Sequence, residues 1–389
     1  MTERSVTMET TYLSPLLARN GAVEADGPDL GVAWHYGDPV AEQRALIEGR
    51  AVVDQSHLGV ISVTGPDRTS WLTTLGTQVI SDTPVGESQE WMILSPQGRI
   101  EYVANVVDDG TTTWLVTEQP EGLRAHLEKM RFMLRVEITD VSSEWAVLGE
   151  PLSTPGATHE PVTWVDPWPH IQSGGTTYHR RPEHPGVKRE WRLVLVPRSD
   201  LMAAIASRLD AGWMLAGTWA AEALRIEALR PRFSREVDAT ALPHEYDWLR
   251  TAVHLDKGCY RGQETVAKVH NVGRPPRRLT LLHLDGSSHA IPSAGASIRL
   301  ASNPDSVIGH VTSVSRHHEL GPIALGLVKR STPEDAALII GADSEEVSAT
   351  QEAIVNRDGE SVDRPPAVGP TQKGLLMGKG CDAPGGDLS

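Results

Sequence analysis

The chain is poor in cysteine, with Cys259 and Cys381 its only two in 389 residues. Two cysteines build no disulfide framework, which suits a reducing, cytoplasmic setting. Nor do they supply the four thiolates that usually hold an iron–sulfur cluster, so a bound cluster would need ligands from elsewhere. Long apolar runs are also missing, and none reaches the length of a membrane span. The first twenty residues contain Arg4 but no continuous apolar stretch with a small-residue cleavage site, so no secretory leader is expected. Positive charge is in deficit, at 36 Lys and Arg against 51 Asp and Glu, for a net charge of −15. That excludes general nucleic-acid binding, which needs a basic surface to neutralise phosphates. The length suits two or three domains with substantial cores.

What is present reads as alternating short strands and helices in no strict βαβ rhythm, hence an α+β fold. Residues 1–29 are irregular. Ala51-Val52-Val53-Asp54 and the alternating run Gly59 to Thr64 read as strands. A helix with Trp71, Leu72 and Leu75 on one face follows, ending at Gly76. Strands are expected from Glu90 to Leu94, Arg99 to Val107 and Thr113 to Thr117. A helix with Leu123, Leu127 and Met130 on one stripe comes next, then strands near Leu134 to Ile138 and Trp145 to Leu148. The Pro-, Gly- and Thr-rich stretch from Glu150 to Gly186 reads as loops. Beyond it lie a strand from Arg192 to Val196 and helices around Leu201 to Leu209 and Thr218 to Leu229. After Pro275-Pro276, four short strands between Arg278 and Val328 read as a small antiparallel barrel or sandwich. From about Glu345 onward the composition reads as a disordered tail, and Cys381 within it as a thiol without a role.

Charge is unevenly spread. Between Arg250 and Arg278 there are seven basic and two acidic residues, a basic island that suggests a modest anionic ligand. Within it stands Lys257-Gly258-Cys259-Tyr260-Arg261-Gly262-Gln263-Glu264, a cysteine between two glycines and two cations. Such a cysteine is either a small buried hydrophobe or a reactive group. In a strand-like stretch Lys257 and Arg261 would share the thiol's face and favour thiolate; in a helix they would not. Neither a cysteine–histidine dyad nor a zinc site has a full complement of partners here. Upstream, Trp219, Ala223 and Ile226 share a helical face. Glu222 and Arg225 are spaced for a surface ion pair, and Arg230, Arg232 and Arg235 follow. A carboxylate such as Glu227 beside an arginine cluster suits a heteroaromatic ligand with ring N–H donors at one end and carboxylates at the other.

The octapeptide resembles the K-G-C-[FY]-T-G-Q-E signature of the YgfZ proteins. These are folate-binding relatives of the glycine-cleavage T-protein (aminomethyltransferase), implicated in iron–sulfur cluster assembly or repair. Val53-Asp54-Gln55-Ser56-His57-Leu58-Gly59 with Val63-Thr64-Gly65-Pro66-Asp67 is similar to the T-protein N-terminal pattern. Arg225-Ile226-Glu227-Ala228 resembles its R-[IL]-E-A segment, and Ile308-Gly309-His310-Val311-Thr312-Ser313 a motif of its C-terminal barrel. Roughly residues 30 to 340 are covered. Arg261 stands where the signature has threonine and Leu229 where glycine is usual. Gly98-Arg99-Ile100-Glu101-Tyr102-Val103 lacks the aspartate pair of the T-protein G-G-[IL]-[IL]-D-D stretch.

The resemblance implies a three-domain ring around a central cavity holding tetrahydrofolate or a related reduced folate. Residues 30–275 would form its two α+β domains, with 81–215 as the middle one, 276–342 the barrel and 343–389 an acidic tail. Cys259, Lys257, Arg261 and Gln263 are the candidates for chemistry; Glu227, on the pterin, with Trp219, Arg225 and Tyr260 are the candidates for folate. The implied role is a folate-dependent accessory of iron–sulfur assembly, with client or assembly proteins as partners. A folate-dependent aminomethyl- or methyltransferase and a non-catalytic folate-binding module are the alternatives. No metal, nucleic-acid or membrane partner is expected.

Overall fold

The computed structural model describes residues 12–152, 162–287, 290–342 and 345–366. Three β-structures organise them. One five-stranded antiparallel sheet runs in the order Ser88–Leu94, Ile100–Asp108, Thr112–Thr117, Gly59–Thr64, Glu137–Asp140. The helices Arg68–Leu75 and Pro120–Met130 bury Trp71, Leu72, Leu123 and Leu127 against it. A second sheet orders Val162–Val165, Trp191–Pro197, Trp145–Pro151, Ala51–Asp54 and Met214–Ala216, with only the last pair parallel. Six strands close the barrel: Arg277–Leu284, Gly321–Lys329, Asn303–His317, Ser297–Leu300, Leu338–Ala342 and Glu345–Ala353. The α+β fold with an antiparallel C-terminal barrel is thus as the sequence implies.

Two boundaries differ from the sequence reading. The barrel does not end at residue 342, because Glu345–Ala353 pairs with both Leu338–Ala342 and Arg277–Leu284 and closes it. Its Val347, Gln351 and Ala353 alternate inward under exposed polar residues; this period of two was masked by the acidic composition. Residues 367–389, including Cys381, lie outside the described residues. Nor is 81–215 a unit. Its strands divide between the two sheets, which interleave because Ala51–Asp54 and Gly59–Thr64 enter different ones.

The described part of the N-terminal segment is anchored rather than loose. Leu16 is fully buried, the Ser14 hydroxyl donates to Asp54 at 2.5 Å, and Asp29 meets Arg232 at 2.6 Å. The stretch read as loops is likewise built in where it is described. It contains the strand Val162–Val165, and Trp164, Trp168 and Tyr178 are buried.

The helix Thr218–Glu227 joins the units. Arg225 is buried and its guanidinium fully engaged, with Glu222 at 2.9 Å, Glu236 at 3.0 Å, the Arg230 carbonyl at 2.6 Å and Ser313 at 2.6 Å. Glu236 accepts in turn from Ser313 at 2.5 Å and Thr312 at 3.0 Å. The Glu222–Arg225 pair is therefore a buried tie between helix and barrel, not the surface pair that its spacing suggested. Thr312 and Ser313 of the barrel motif provide its far end.

Candidate functional site

A cavity of about 130 Å³ lies where the two sheets meet the Thr218–Glu227 helix and the segment after it. Its floor begins at the turn between Ala51–Asp54 and Gly59–Thr64. Asp54 accepts from the Ser56 N–H at 3.0 Å and Leu58 N–H donates to the Gln55 carbonyl at 2.9 Å, so the chain reverses in four residues. This sets Gln55 and His57 on the cavity wall. Gly149 makes room for the Gln55 amide, since a Cβ there would lie 2.2 Å from its Oε1. Trp164, Trp191, Phe233 and Trp248 supply aromatic walls.

Charge in the cavity is balanced. Arg230 pairs with Glu90 at 2.7 Å and Asp166 at 3.2 Å; Arg232 pairs with Asp29 at 2.6 Å, Glu222 at 3.2 Å and Glu118. Burial would raise the Glu222 carboxyl, but Arg225, Arg232 and Arg235 outweigh it and hold that group well below the ordinary range. Burial pushes Arg189 down to about 10, against the pull of Asp166 at 3.6 Å. With every guanidinium met by carboxylate, the cavity does not select an anion. What it offers are buried polar atoms without hydrogen-bond partners: Gln55 Oε1, His57 Nδ1, Arg230 Nη1 and Trp248 Nε1, with Arg189 Nε held only by the longer Asp166 contact. Such atoms are costly to leave unpaired, and a neutral ring system rich in donors and acceptors would satisfy them.

A second cavity of about 450 Å³ lies against the neighbouring face of the same helix. Trp219 and Trp34 stack in it with ring centroids 4.6 Å apart and planes 13° from parallel. Thr218 Oγ1, Arg235 Nε and Ser315 Oγ there are buried without partners. Glu222 lines both spaces.

The sequence-derived candidates are therefore dispersed. Arg225 lines the first cavity and Trp219 the second, but Glu227 lines neither. Its carboxylate is half-exposed and meets His317 at 3.2 Å, a contact that holds it below its usual range. Five residues separate Glu222 from Glu227, which turns the latter about 140° around the helix. No octapeptide residue lines either cavity.

Lys257 donates to the carbonyls of Thr73 and Gly76 at the end of the Arg68–Leu75 helix, and burial lowers its ammonium to about 8. It lies 4.9 Å from the ring centroid of buried Tyr260, whose hydroxyl burial pushes upward. Arg261 pairs with Glu101 at 3.1 Å on the surface, and Gln263 donates to the Lys257 carbonyl at 3.2 Å. Cys259 is exposed and disulfide-bonded, so it offers a thiol only after reduction. Both cations flanking it are thus committed elsewhere. The wider basic island is used structurally too: Arg250 donates to the carbonyls of Trp168 and Pro169, Arg277 pairs with Asp238 and Glu245, and Arg278 donates to the Thr332 carbonyl.

Residues 13–151 match the family profile described as the GCVT N-terminal domain. The crystal structure of glycine cleavage system aminomethyltransferase T from Bartonella henselae covers 87% of this chain and 94% of its own, with a TM-score of 0.69 at 17% identity. The fold is that of the T-protein. Among curated relatives, an aminomethyltransferase of Herpetosiphon aurantiacus is 27% identical over 297 residues, 70% of this chain and 78% of its own. One of Listeria monocytogenes is 26% identical over 339 residues, 83% of this chain and 91% of its own. On this T-protein-like frame, Val103, the last residue of the Gly98–Val103 stretch, lines the first cavity as an apolar side chain. Glu101 does not reach the cavity and pairs with Arg261 instead. Sequence reasoning missed Gln55, His57, Asp166 and Trp248. The N-terminal motif contained the first two, but only the turn geometry reveals their shared wall.

Proposed function

We propose that the chain binds a reduced folate in these cavities and acts as a folate-dependent accessory of iron–sulfur cluster assembly or repair, as a YgfZ-like protein. The observation that carries the folate reading is the set of unpartnered polar atoms on an aromatic-walled, charge-balanced cavity. A reduced pterin ring has N–H donors for Gln55 Oε1 and carbonyl or ring-nitrogen acceptors for Arg230 Nη1 and Trp248 Nε1, so the donor set fits. At about 130 Å³ the space falls below the roughly 300–1,000 Å³ of a site for a drug-sized ligand. It suits the bicyclic head alone. The second cavity, with its tryptophan stack, has the size and the aromatic wall for the ring of the remainder, and Arg235 and Arg316 are the cations on its lining. When bound, a reduced folate supplies one-carbon or hydride-level chemistry; the residues here bind, orient and exclude water.

The transferase alternative draws support from relatives named aminomethyltransferases. The apolar Val103 wall argues against it, because no carboxylate stands at that place. Isothermal calorimetry with 5-formyltetrahydrofolate is expected to show binding. An aminomethyl- or methyl-transfer assay is expected to show no turnover, and turnover would favour the transferase. Cys259→Ala is expected to keep folate affinity but fail to restore iron–sulfur enzyme activity in a deletion strain. Full restoration by that variant would remove the thiol from the function.

A further inference from the structure

Away from both cavities, the helix Pro120–Met130 runs into the tip Arg131-Phe132-Met133-Leu134-Arg135. Phe132 is 80% exposed and Met133 97%, with Leu134 at 41% beside them. Contiguous apolar surface of this kind marks interaction sites. The tip is not a frayed end. Trp71 Nε1 donates to the Met130 carbonyl at 3.3 Å and the Leu134 N–H to the Arg131 carbonyl at 3.1 Å. Arg135 grips Asp67 through its backbone N–H at 2.9 Å and its guanidinium at 2.7 Å. Phe132 itself holds a φ of 48°, a left-handed conformation that a bulky side chain occupies only under strain. Glycine or asparagine would make the same turn more cheaply. The fold thus gives up stability to hold an aromatic ring in solvent at a fixed place. Residues 124–135 contain four basic side chains and one acidic, in a chain whose net charge is −15. Phenylalanine, methionine and arginine are enriched at the centres of protein interfaces, whereas membrane surfaces favour tryptophan and tyrosine. The Cys259 loop lies along the same helix. His126 packs on Tyr102 at 5.4 Å, and the charges of Glu101 and its partner Arg261 both act on it. Lys257 fastens to the end of the Arg68–Leu75 helix, whose Trp71 supports the tip.

We propose that Phe132 and Met133 anchor a docking surface for another protein, one that presents an apolar pocket rimmed by carboxylates. The two side chains fill the pocket, and Arg124, Lys129 and Arg131 face its acidic rim. Because the tip already holds its shape, little ordering entropy is lost on docking. Two copies of this chain meeting tip to tip would bring like charges together, so the partner is a different protein. Docked there, it lies against the face that carries Cys259, where a protein client of this chain has to be presented. The docking is independent of the folate reading, since no residue of 120–135 lines either cavity.

The test places the photo-crosslinking residue p-benzoylphenylalanine at position 133 of the full chain, in the cells that make it. Irradiation should give one discrete protein adduct, and the captured protein, once purified, should bind the wild-type chain in calorimetry. Phe132→Asn should weaken that binding at least tenfold. Lys129→Glu combined with Arg131→Glu should weaken it comparably, and the wild-type affinity should fall as salt rises. Asparagine accepts the left-handed backbone, so Phe132→Asn should also raise the urea midpoint, and its lost binding then cannot come from a lost fold. Affinity for 5-formyltetrahydrofolate should match wild type in both variants, which separates failure of the docking surface from failure of the folate reading. Absence of an adduct, or adducts only with lipid or with the chain itself, overturns the docking surface. So does a captured protein that binds Phe132→Asn as tightly as wild type.

Discussion

At the scale of single residues, the two glycines flanking Cys259 have different standing. Gly262 holds a positive φ of 86°, and a Cβ there would lie 2.5 Å from the Ser95 carbonyl oxygen, so only glycine fits where the chain enters the helix Gln263–Asn271. Gly258 has open space around it and no such backbone demand. Gly262→Ala is therefore expected to lower stability by about 1–3 kcal/mol in urea unfolding, while Gly258→Ala stays within about 0.5 kcal/mol of wild type. Equal effects would refute this division. The octapeptide was legible as a special loop because a glycine at the mouth of a helix leaves a mark in sequence. The fate of its cations was not. Whether a lysine faces a sulfur or the end of a distant helix depends on residues 73 and 76, far away in the chain.

At the scale of elements, the helix Thr218–Glu227 ties the sheets to the barrel. Its buried face carries Arg225, whose removal strands Glu222 and Glu236 without their countercharge. Breaking a buried ion pair from one side costs about 3–5 kcal/mol, and Arg225→Ala should show a loss of that order in denaturant midpoint. Glu227→Gln, on the half-exposed side, should change neither stability by more than about 0.5 kcal/mol nor the calorimetric affinity for 5-formyltetrahydrofolate. A marked loss of that affinity would return Glu227 to the site. Most elements were readable in advance, since strands such as Gly59–Thr64 and helices such as Pro120–Met130 show their periods plainly. The burial of the Glu222–Arg225 pair was not readable, because spacing along a helix reveals neighbours but not what lies above them. The closing barrel strand escaped notice for a related reason: its solvent face carries the glutamates that made the segment look unstructured.

At the scale of the whole molecule, buried histidines set the response to acid. Burial pushes His244 down to about 3, and also lowers His57 and His184. In the unfolded chain such groups take up protons near pH 6.5. Between about pH 6.5 and 3 the unfolded state therefore holds more protons than the fold, so stability falls as pH drops through that window and levels off above it. Urea unfolding from pH 7.5 to 5 should show this decline, with a slope smaller by about one proton in His244→Gln. Stability that rises on acidification would contradict the assignment. The interleaving of the two sheets has a further consequence, in the order of synthesis. The strand at residues 51–54 has no complete sheet until residue 216 has emerged, and the cavity needs Trp248 before its wall is whole. A nascent or shortened chain has no binding site, whatever motifs it already contains. A ligand that binds only the finished fold protects it by mass action, so in a cell the supply of that small molecule would help decide how many newly made chains survive proteolysis.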